Sequence, residues 1–332
     1  MPLPQTMTHI EITQPGGPDV LQPREVPVPR PAAGEVLIRV HAAGVNRPDV
    51  LQRAGHYPMK PGMNPIPGLE VAGDVVAVGD GVSTYKAGDK VCALTNGGGY
   101  AEYCAVPAGQ VLPMPQGVDY VSAAAIPETF FTVWANLFGL GGASKGQRAL
   151  IHGGTSGIGT TALMLCREFG IETFATAGSA DKCAVIESLD ATAINYRDED
   201  FVQAIQAQTA GKGVNVILDI MGGSYLNQNI AALGMDGRLV MLGFLGGAKA
   251  NDVELLAIMA KRASITGSLL RPRTDQEKAA IAAQLREKVW PALSAGRCLP
   301  MIDQVFELKD VAKAHTRMEA GDHVGKIVLR VI

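Results

Sequence analysis

Alternation of apolar and polar residues dominates the first third of the chain. Residues 35–42 (EVLIRVHA) place apolar side chains at nearly every second position, the period of a half-buried strand. Residues 73–79 (GDVVAVG) form an apolar run closed by the turn pair Asp80-Gly81, and 90–94 and 101–106 continue the pattern. Short strands divided by Gly and Pro at such intervals predict a barrel-like all-β unit over 1–125. The loop 55–67 carries four prolines inside that unit and is a candidate for lining a site.

From Ala123 the period lengthens to that of a helix, over 123–139, and strands then alternate with helices. Strands are predicted at 148–153, 173–177, 193–195, 214–219, 238–242 and 264–267. Helices are predicted at 159–169, 182–189, 200–209 and 224–233. This β/α alternation specifies a doubly wound parallel sheet, a Rossmann-type domain over 126–272. One amphipathic helix from 274 to 294, a strand at 301–307, a further helix and a strand at 325–331 follow. The β-rich tail 273–332 is expected to return to the first domain.

A length of 332 residues agrees with two domains at roughly 150 residues each. With 47% hydrophobic and 18% charged residues, the chain has material for two cores and too little charge for disorder. The net charge of −3 gives nucleic acid no basic surface, so that class of partner is not expected. The start MPLPQTMTHIEI has no basic n-region, and no apolar stretch suits a bilayer span, so no membrane partner is expected. Met7 is a candidate start, with 1–6 as an extension. Cys92, Cys104, Cys166, Cys183 and Cys298 are odd in number and form no CxxC pair. A disulfide framework is not expected, and a reducing cytoplasm is the simplest location.

Glycine is the outlying component, at 39 residues against a usual share of roughly 7%. Its densest cluster is Gly153-Gly154-Thr155-Ser156-Gly157-Ile158-Gly159, after the strand ALIHG and before the helix TTALMLCREFG. Strand, glycine turn and helix in that order make a pyrophosphate cradle, with close backbone approach and free helix N–H groups. An ordinary tight turn is the alternative reading of the glycines alone. Short-chain dehydrogenases are excluded, because they carry the loop near the N-terminus and no tyrosine here has Lys four residues later. The strand after the loop ends Ala177-Gly178-Ser179, without the carboxylate that holds a ribose 2′-hydroxyl, and Lys182 follows. A hydroxyl and an ammonium there suit a 2′-phosphate, so NADPH is expected over NADH. Asp181 runs against this reading unless it faces solvent.

The segments GVNRPDVLQRAGHYP, PGLEVAG, AAAIPETFFTVW, LIHGGTSGIGTTA, TAGSADK, GVNVILDIMGGSY, DGRLVMLG, SITGSLLR and HVGKIVL span nearly the whole chain. In that order they resemble the medium-chain dehydrogenase/reductase superfamily, and within it the zinc-free quinone oxidoreductases, most of all the p53-inducible type. The resemblance implies an α/β fold: a GroES-like β-rich catalytic domain from both chain ends, with a Rossmann doubly wound parallel sheet inserted. Zinc-dependent members carry Cys, His-Glu and a later Cys or Asp; here those positions read Asn46, Leu69 before Glu70, and Glu128. Zinc takes at least three N, S or O ligands in a catalytic site, so a metal-free enzyme is expected.

A metal-free reductase needs an acceptor that spreads incoming negative charge through conjugation, which a quinone or enone does. The expected activity is transfer of hydride or electrons from NADPH to quinones. The alternatives are reduction of enones or 2-enoyl thioesters, and a non-catalytic NADPH-binding redox sensor. By resemblance Tyr57 sits in the substrate cleft as a hydrogen-bond donor, and Asn46 and Thr132 lie near the nicotinamide. Ser156 and Ile158 touch the phosphates with Gly154, Thr155 and Gly157, and Tyr196 flanks the adenosine phosphate. Leu242, Gly243 and Phe244, then Ser268 and Leu269, end strands at the cofactor edge, and Lys326 faces the cofactor. Each has a plainer alternative as a turn, cap or packing residue, and Asp219 is a candidate turn cap. The six histidines form no nucleophile motif and read as surface or packing residues, although His56 and His152 lie near the proposed site. A homodimer through the edge strand ASITG (263–267) is also implied.

Overall fold

The computed structural model describes residues 3–57, 59 and 63–332. Residues 58 and 60–62 of the proline-rich loop lie outside the described residues, as do 1 and 2 of the candidate extension. The chain forms two compact units, one of Met1–Phe131 with Arg273–Ile332 and the other of Thr132–Pro272.

The first unit opens with an antiparallel hairpin of β1 (Thr6–Ile12) and β2 (Leu21–Pro27). The strand pattern did not predict it, because LQPREVP exposes most of its residues and has no continuous apolar face. β3 (Glu35–Val45), β4 (Glu70–Val78), β5 (Lys90–Leu94), β6 (Tyr103–Pro107) and β7 (Val111–Pro113) follow. The second unit holds β8 (Arg148–Ile151), β9 (Glu172–Ala177), β10 (Thr192–Asn195), β11 (Val214–Asp219), β12 (Leu233–Met241) and β13 (Ser264–Gly267). The chain then returns to the first unit as β14 (Ile302–Glu307) and β15 (Lys326–Arg330).

In the first unit β3 is the hub of a seven-stranded sheet ordered β14-β15-β3-β4-β5-β7, with β6 also on β3. Its Val36, Ile38 and Val40 are fully buried and share a core with Val71, Val75, Val91, Val106, Ile327 and Leu329. The tail therefore supplies core as well as edge. In the second unit the strands are all parallel, in the order β10-β9-β8-β11-β12-β13. Leu150, Phe174, Ile194, Ile217 and Leu239 pack there against Phe201 and Ile205 of the helix Phe201–Gln208. The mixed α/β architecture is the one the alternation specifies.

Two helices differ from expectation. The stretch 123–139 is not one helix: Pro127–Val133 is α-helical, and Trp134–Leu140 continues at π pitch. The side-chain amide of Asn136 donates to Thr132 O at 2.8 Å, and Gly141 N reaches back five residues to Asn136 O at 2.7 Å. The first bond takes a carbonyl that the α-ladder would use, and the second closes the wider turn. The predicted long C-terminal helix divides into Asp275–Lys288 and Trp290–Ser294, with Pro291 in the first turn of the second. A short helix that the pattern gave no sign of, Leu255–Lys261, buries none of its residues.

Two glycines of the first unit illustrate different constraints. A Cβ on Gly73 in β4 would fall 1.9 Å from Arg39 O, whereas Gly81, at φ +80°, has open space around it. Gly73→Ala is expected to cost about 3 kcal/mol through forced strand displacement. Gly81→Ala is expected to cost about 1 kcal/mol, through backbone conformation alone. Urea denaturation of the two variants checks the ranking.

Candidate active site

Each strand of the parallel sheet delivers one part of the candidate site just beyond its C-terminal end. The strand order changes direction between β8 and β11, which is where open α/β sheets bind ligands. The glycine turn leaves β8 at that point. Gly153 adopts φ +69°, Gly154 N donates to Thr176 O at 2.9 Å, and a Cβ on Gly154 would meet Ala175 and Ile186 at 2.8 Å. A Cβ on Gly159 would lie 2.3 Å from Gly153 O, so the turn and the helix Gly157–Glu168 close on each other only with glycine there.

Ser156 caps that helix, its Oγ accepting from Gly159 N at 3.0 Å and donating to Gly153 O at 2.9 Å. The first helical N–H groups, on Gly157 and Ile158, have no carbonyl a turn earlier to take them. They point out of the N-terminus as donors for an anion. Thr155 is buried beneath. This cradle fits a dinucleotide pyrophosphate.

The other expected residues follow the C-terminal ends of neighbouring strands. Ser179 caps the helix Ala180–Ser188 by accepting from Lys182 N at 3.4 Å. A Cβ on Gly178 would lie 2.4 Å from the Tyr196 hydroxyl, so the exposed tyrosine ring lies against that glycine. No carboxylate ends β9, and Asp181 is exposed. Leu242 N donates to Asp219 O at 2.7 Å, and a Cβ on Gly243 would touch Ile220 O at 3.3 Å. Phe244 and Leu269 are more than half exposed. Asp219 accepts from Met221 N and Gly222 N at 2.7 and 3.0 Å, and so caps its turn.

Sequence reasoning missed Asn136, which joins two expected residues. It donates to Thr132 O and accepts from Ser268 Oγ at 2.7 Å. An amide inside an otherwise apolar helix was the available signal. His152, expected near the site as a surface or packing residue, precedes the glycine turn and lies within 3.1 Å of Thr176 Oγ1 and 2.7 Å of Asn229 Oδ1. Burial depresses the His152 pKa to about 4.

The first unit carries a second constellation. Asn46, directly after β3, stands at the N-terminus of the helix Arg47–Arg53, and Tyr57, half-buried, follows that helix with its N–H on Leu51 O at 3.1 Å. Asn46 Nδ2 donates to Glu70 Oε1 at 2.9 Å, and Lys326 Nζ donates to Asn46 Oδ1 at 2.5 Å. Lys326 and Glu70 form an ion pair at 2.6 Å with both side chains at least 96% buried. Lys326 is therefore directed at Glu70 and Asn46 within its own unit. Asp49, unremarked in the sequence, accepts from Asn46 N and Gly68 N at 2.9 and 3.0 Å and from the Tyr100 hydroxyl at 3.2 Å. Its place three residues after Asn46 and before an apolar run was a legible cap signal. His315 Nε2 lies 3.2 Å from that same hydroxyl, and burial pushes the His315 pKa down to about 3.

These groups do not make a zinc site. Asn46 is held by an ammonium and a carboxylate, Leu69 has no donor atom, and Glu70 is paired. Among the described residues no three His, Cys, Asp or Glu side chains cluster to hold a metal. No helix among them is long and apolar enough to cross a membrane.

The family model of the alcohol dehydrogenase GroES-like domain matches residues 32–116, and that described as zinc-binding dehydrogenase matches 189–329. The quinone oxidoreductase of Rattus norvegicus is 32% identical over 327 residues, which is 97% of this chain and 97% of that protein. The chain belongs to the medium-chain dehydrogenase/reductase superfamily. It is accordingly an oxidoreductase. Among solved structures, a mycobacterial protein complexed with NADPH matches with TM-score 0.86 and 29% identity, over 98% of this chain and 100% of that one. The CurK enoyl reductase matches with TM-score 0.86 and 28% identity, over 98% and 99%.

Both buried histidines are neutral in the fold, while the unfolded imidazoles titrate near 6.5. The unfolded chain then binds more protons below that pH, and stability falls as pH drops from 6.5 toward 4 and 3. Urea denaturation between pH 7 and 5 is expected to show a loss approaching about 1.4 kcal/mol per pH unit for each histidine. His315→Gln is expected to lower the starting stability and flatten the slope.

Proposed function

We propose that the protein is a zinc-independent, NADPH-dependent quinone oxidoreductase. The observation that carries this reading is the Asn46–Glu70–Lys326 cluster, in which Asn46 stands where zinc-dependent relatives carry a cysteine ligand and is bonded to a buried ion pair. The likeness to named quinone oxidoreductases and to a protein solved with NADPH supports it.

The glycine turn and the helix Gly157–Glu168 would hold the pyrophosphate through backbone N–H groups, with Ser156 fixing the turn and Tyr196 beside Gly178 flanking the adenosine phosphate. Ser179 and Lys182 would take a 2′-phosphate, which a carboxylate at the end of β9 would repel. Leu242, Gly243, Phe244, Ser268 and Leu269 would line the remaining length, with Thr132 held by Asn136. Bound NADPH supplies a hydride. Tyr57 donates a hydrogen bond to the acceptor oxygen, and Asn46 orients the reacting groups. Lys326, the buried cation beside Asn46, is paired with Glu70, so it offers no unpaired charge to a simple alkoxide. A quinone delocalises the incoming charge, so positioning supplies most of the acceleration.

NADPH oxidation against ortho-quinones, para-quinones, enones and aldehydes, with an NADH control, tests this reading. Quinone turnover undiminished by chelator is expected; aldehyde turnover abolished by chelator would overturn it. Lys182→Ala is expected to raise the KM for NADPH roughly tenfold or more, the loss of one charge-assisted hydrogen bond, and to leave that for NADH unchanged. The likeness to an enoyl reductase favours a second reading, reduction of 2-enoyl thioesters, and crotonyl turnover exceeding quinone turnover would select it.

A homodimer belongs to the same proposal. β13 is an edge strand, and the adjacent helix Leu255–Lys261 exposes Leu255, Leu256 and Met259 by 68, 72 and 73%. Light scattering is expected to give twice the chain mass. Glutamate at both 256 and 259 (L256E/M259E) is expected to return it to the monomer.

A further inference from the structure

Three segments distant in sequence meet at one end of the seven-stranded sheet. β15, β3 and β4 are neighbours, with Ile327 opposite Val45 and Ala43 opposite Val71. Lys326 opens β15, Glu70 opens β4 and Asn46 follows β3, so the three side chains belong to the same end. Glycines permit close approach at that end. A Cβ on Gly44 would lie 2.0 Å from Glu70 Oε1, and one on Gly325 would lie 2.3 Å from Met301 O.

Every proton of the ammonium has a partner. Lys326 Nζ contacts Glu70 Oε1 at 2.6 Å and donates to Asn46 Oδ1 at 2.5 Å and Val45 O at 3.2 Å. Glu70 Oε1 also accepts from Asn46 Nδ2, and Oε2 accepts from Glu128 N at 2.8 Å. An ammonium has only donors and an ionised carboxylate only acceptors, so the two ends of the Asn46 amide cannot exchange. One Nδ2 proton is given to Glu70. The other meets no acceptor among the described residues, although Asn46 is only 5% exposed. The cation on Oδ1 also polarises the amide and strengthens that N–H as a donor.

We infer that Glu70 and Lys326 are positioning residues that lock Asn46 so its second Nδ2 proton is a fixed donor to a carbonyl oxygen of the bound reactants. That oxygen belongs either to the nicotinamide carboxamide or to the acceptor. The inference rests on the reading of the protein as an NADPH-dependent reductase. Lys326 itself reaches neither reactant, because its protons are already engaged. The pair is net neutral, so the site presents a strong donor without a full charge.

The test follows the Asn46 side-chain amide in the proton–nitrogen spectrum of asparagine-labelled protein, identified by its loss in Asn46→Ala. Two well-separated protons are expected. Addition of NADP+ alone, then of tetramethylhydroquinone as a product-side probe, is expected to move the proton that does not bond Glu70. Movement with NADP+ assigns the carboxamide as partner, and movement only with the second probe assigns the acceptor oxygen. If the Gly157 and Ile158 amides shift with NADP+ while that proton responds to neither probe, the inference fails and the cofactor reading stands. If no amide responds, the cofactor reading fails and takes the inference with it. Kinetics of the charge-neutral double variant Glu70→Gln with Lys326→Met supply a second readout. A fall in kcat of roughly 10- to 100-fold is expected, as for residues that orient a reacting group through another, with melting temperature retained. Unchanged kcat in a folded double variant would overturn the inference.

Discussion

A buried ion pair between Lys326 and Glu70 is the constraint on which the first unit turns. Neither charge reaches water, and each would be costly alone, because desolvation of an unpaired buried ion exceeds what packing returns. The pair is tolerable only if β15 stands beside β3 with its first residue level with the start of β4, and that fixes the register of three strands at once. Other polar locks spread from the same end of the sheet. Asp49 holds Asn46, Gly68 and Tyr100, Tyr100 meets His315, and Arg53 pairs with Glu319 through a nearly fully buried guanidinium. Each joins the first part of the chain to itself or to its returning tail.

The second unit solves a different problem, the close approach of backbone to a charged ligand. Gly153, Gly154 and Gly159 let a strand end, a turn and a helix start pack within contact distance, and Gly178 leaves room for the Tyr196 ring. Substituting side chains there would fill the space with carbon and lift the N–H donors away. The loop is tied down from beneath by His152, which links β8 to β9 and to Asn229 in the helix Leu226–Ala232. Rigid glycine turns need such anchors, since glycine contributes no side chain of its own to hold them.

Local pattern made most of the architecture legible, and long-range pairing set the limit. The strands 90–94, 214–219 and 264–267 were readable to the residue, since apolar runs bounded by turn residues carry their own ends. Trp134–Leu140 was not, because its pitch depends on one amide bonding to Thr132 O in competition with the backbone. The polar Lys326 at an apolar strand start was conspicuous, yet its partners lie at 46 and 70, and no periodicity reports a contact over that separation. Asn46 is a site candidate by resemblance alone; the reason its amide has one orientation required the pair around it.

Insertion of Thr132–Pro272 into the first unit has a consequence for the order of folding during synthesis. Domains fold as units as the chain emerges. Here the unit begun first is completed last, because its central strand β3 waits for β15 and its buried glutamate for Lys326. The parallel sheet has all six strands once Gly267 has appeared and closes first. The nascent chain therefore passes through a stage in which a finished middle domain carries an open-edged N-terminal sheet, and the arrival of one lysine ends that exposure.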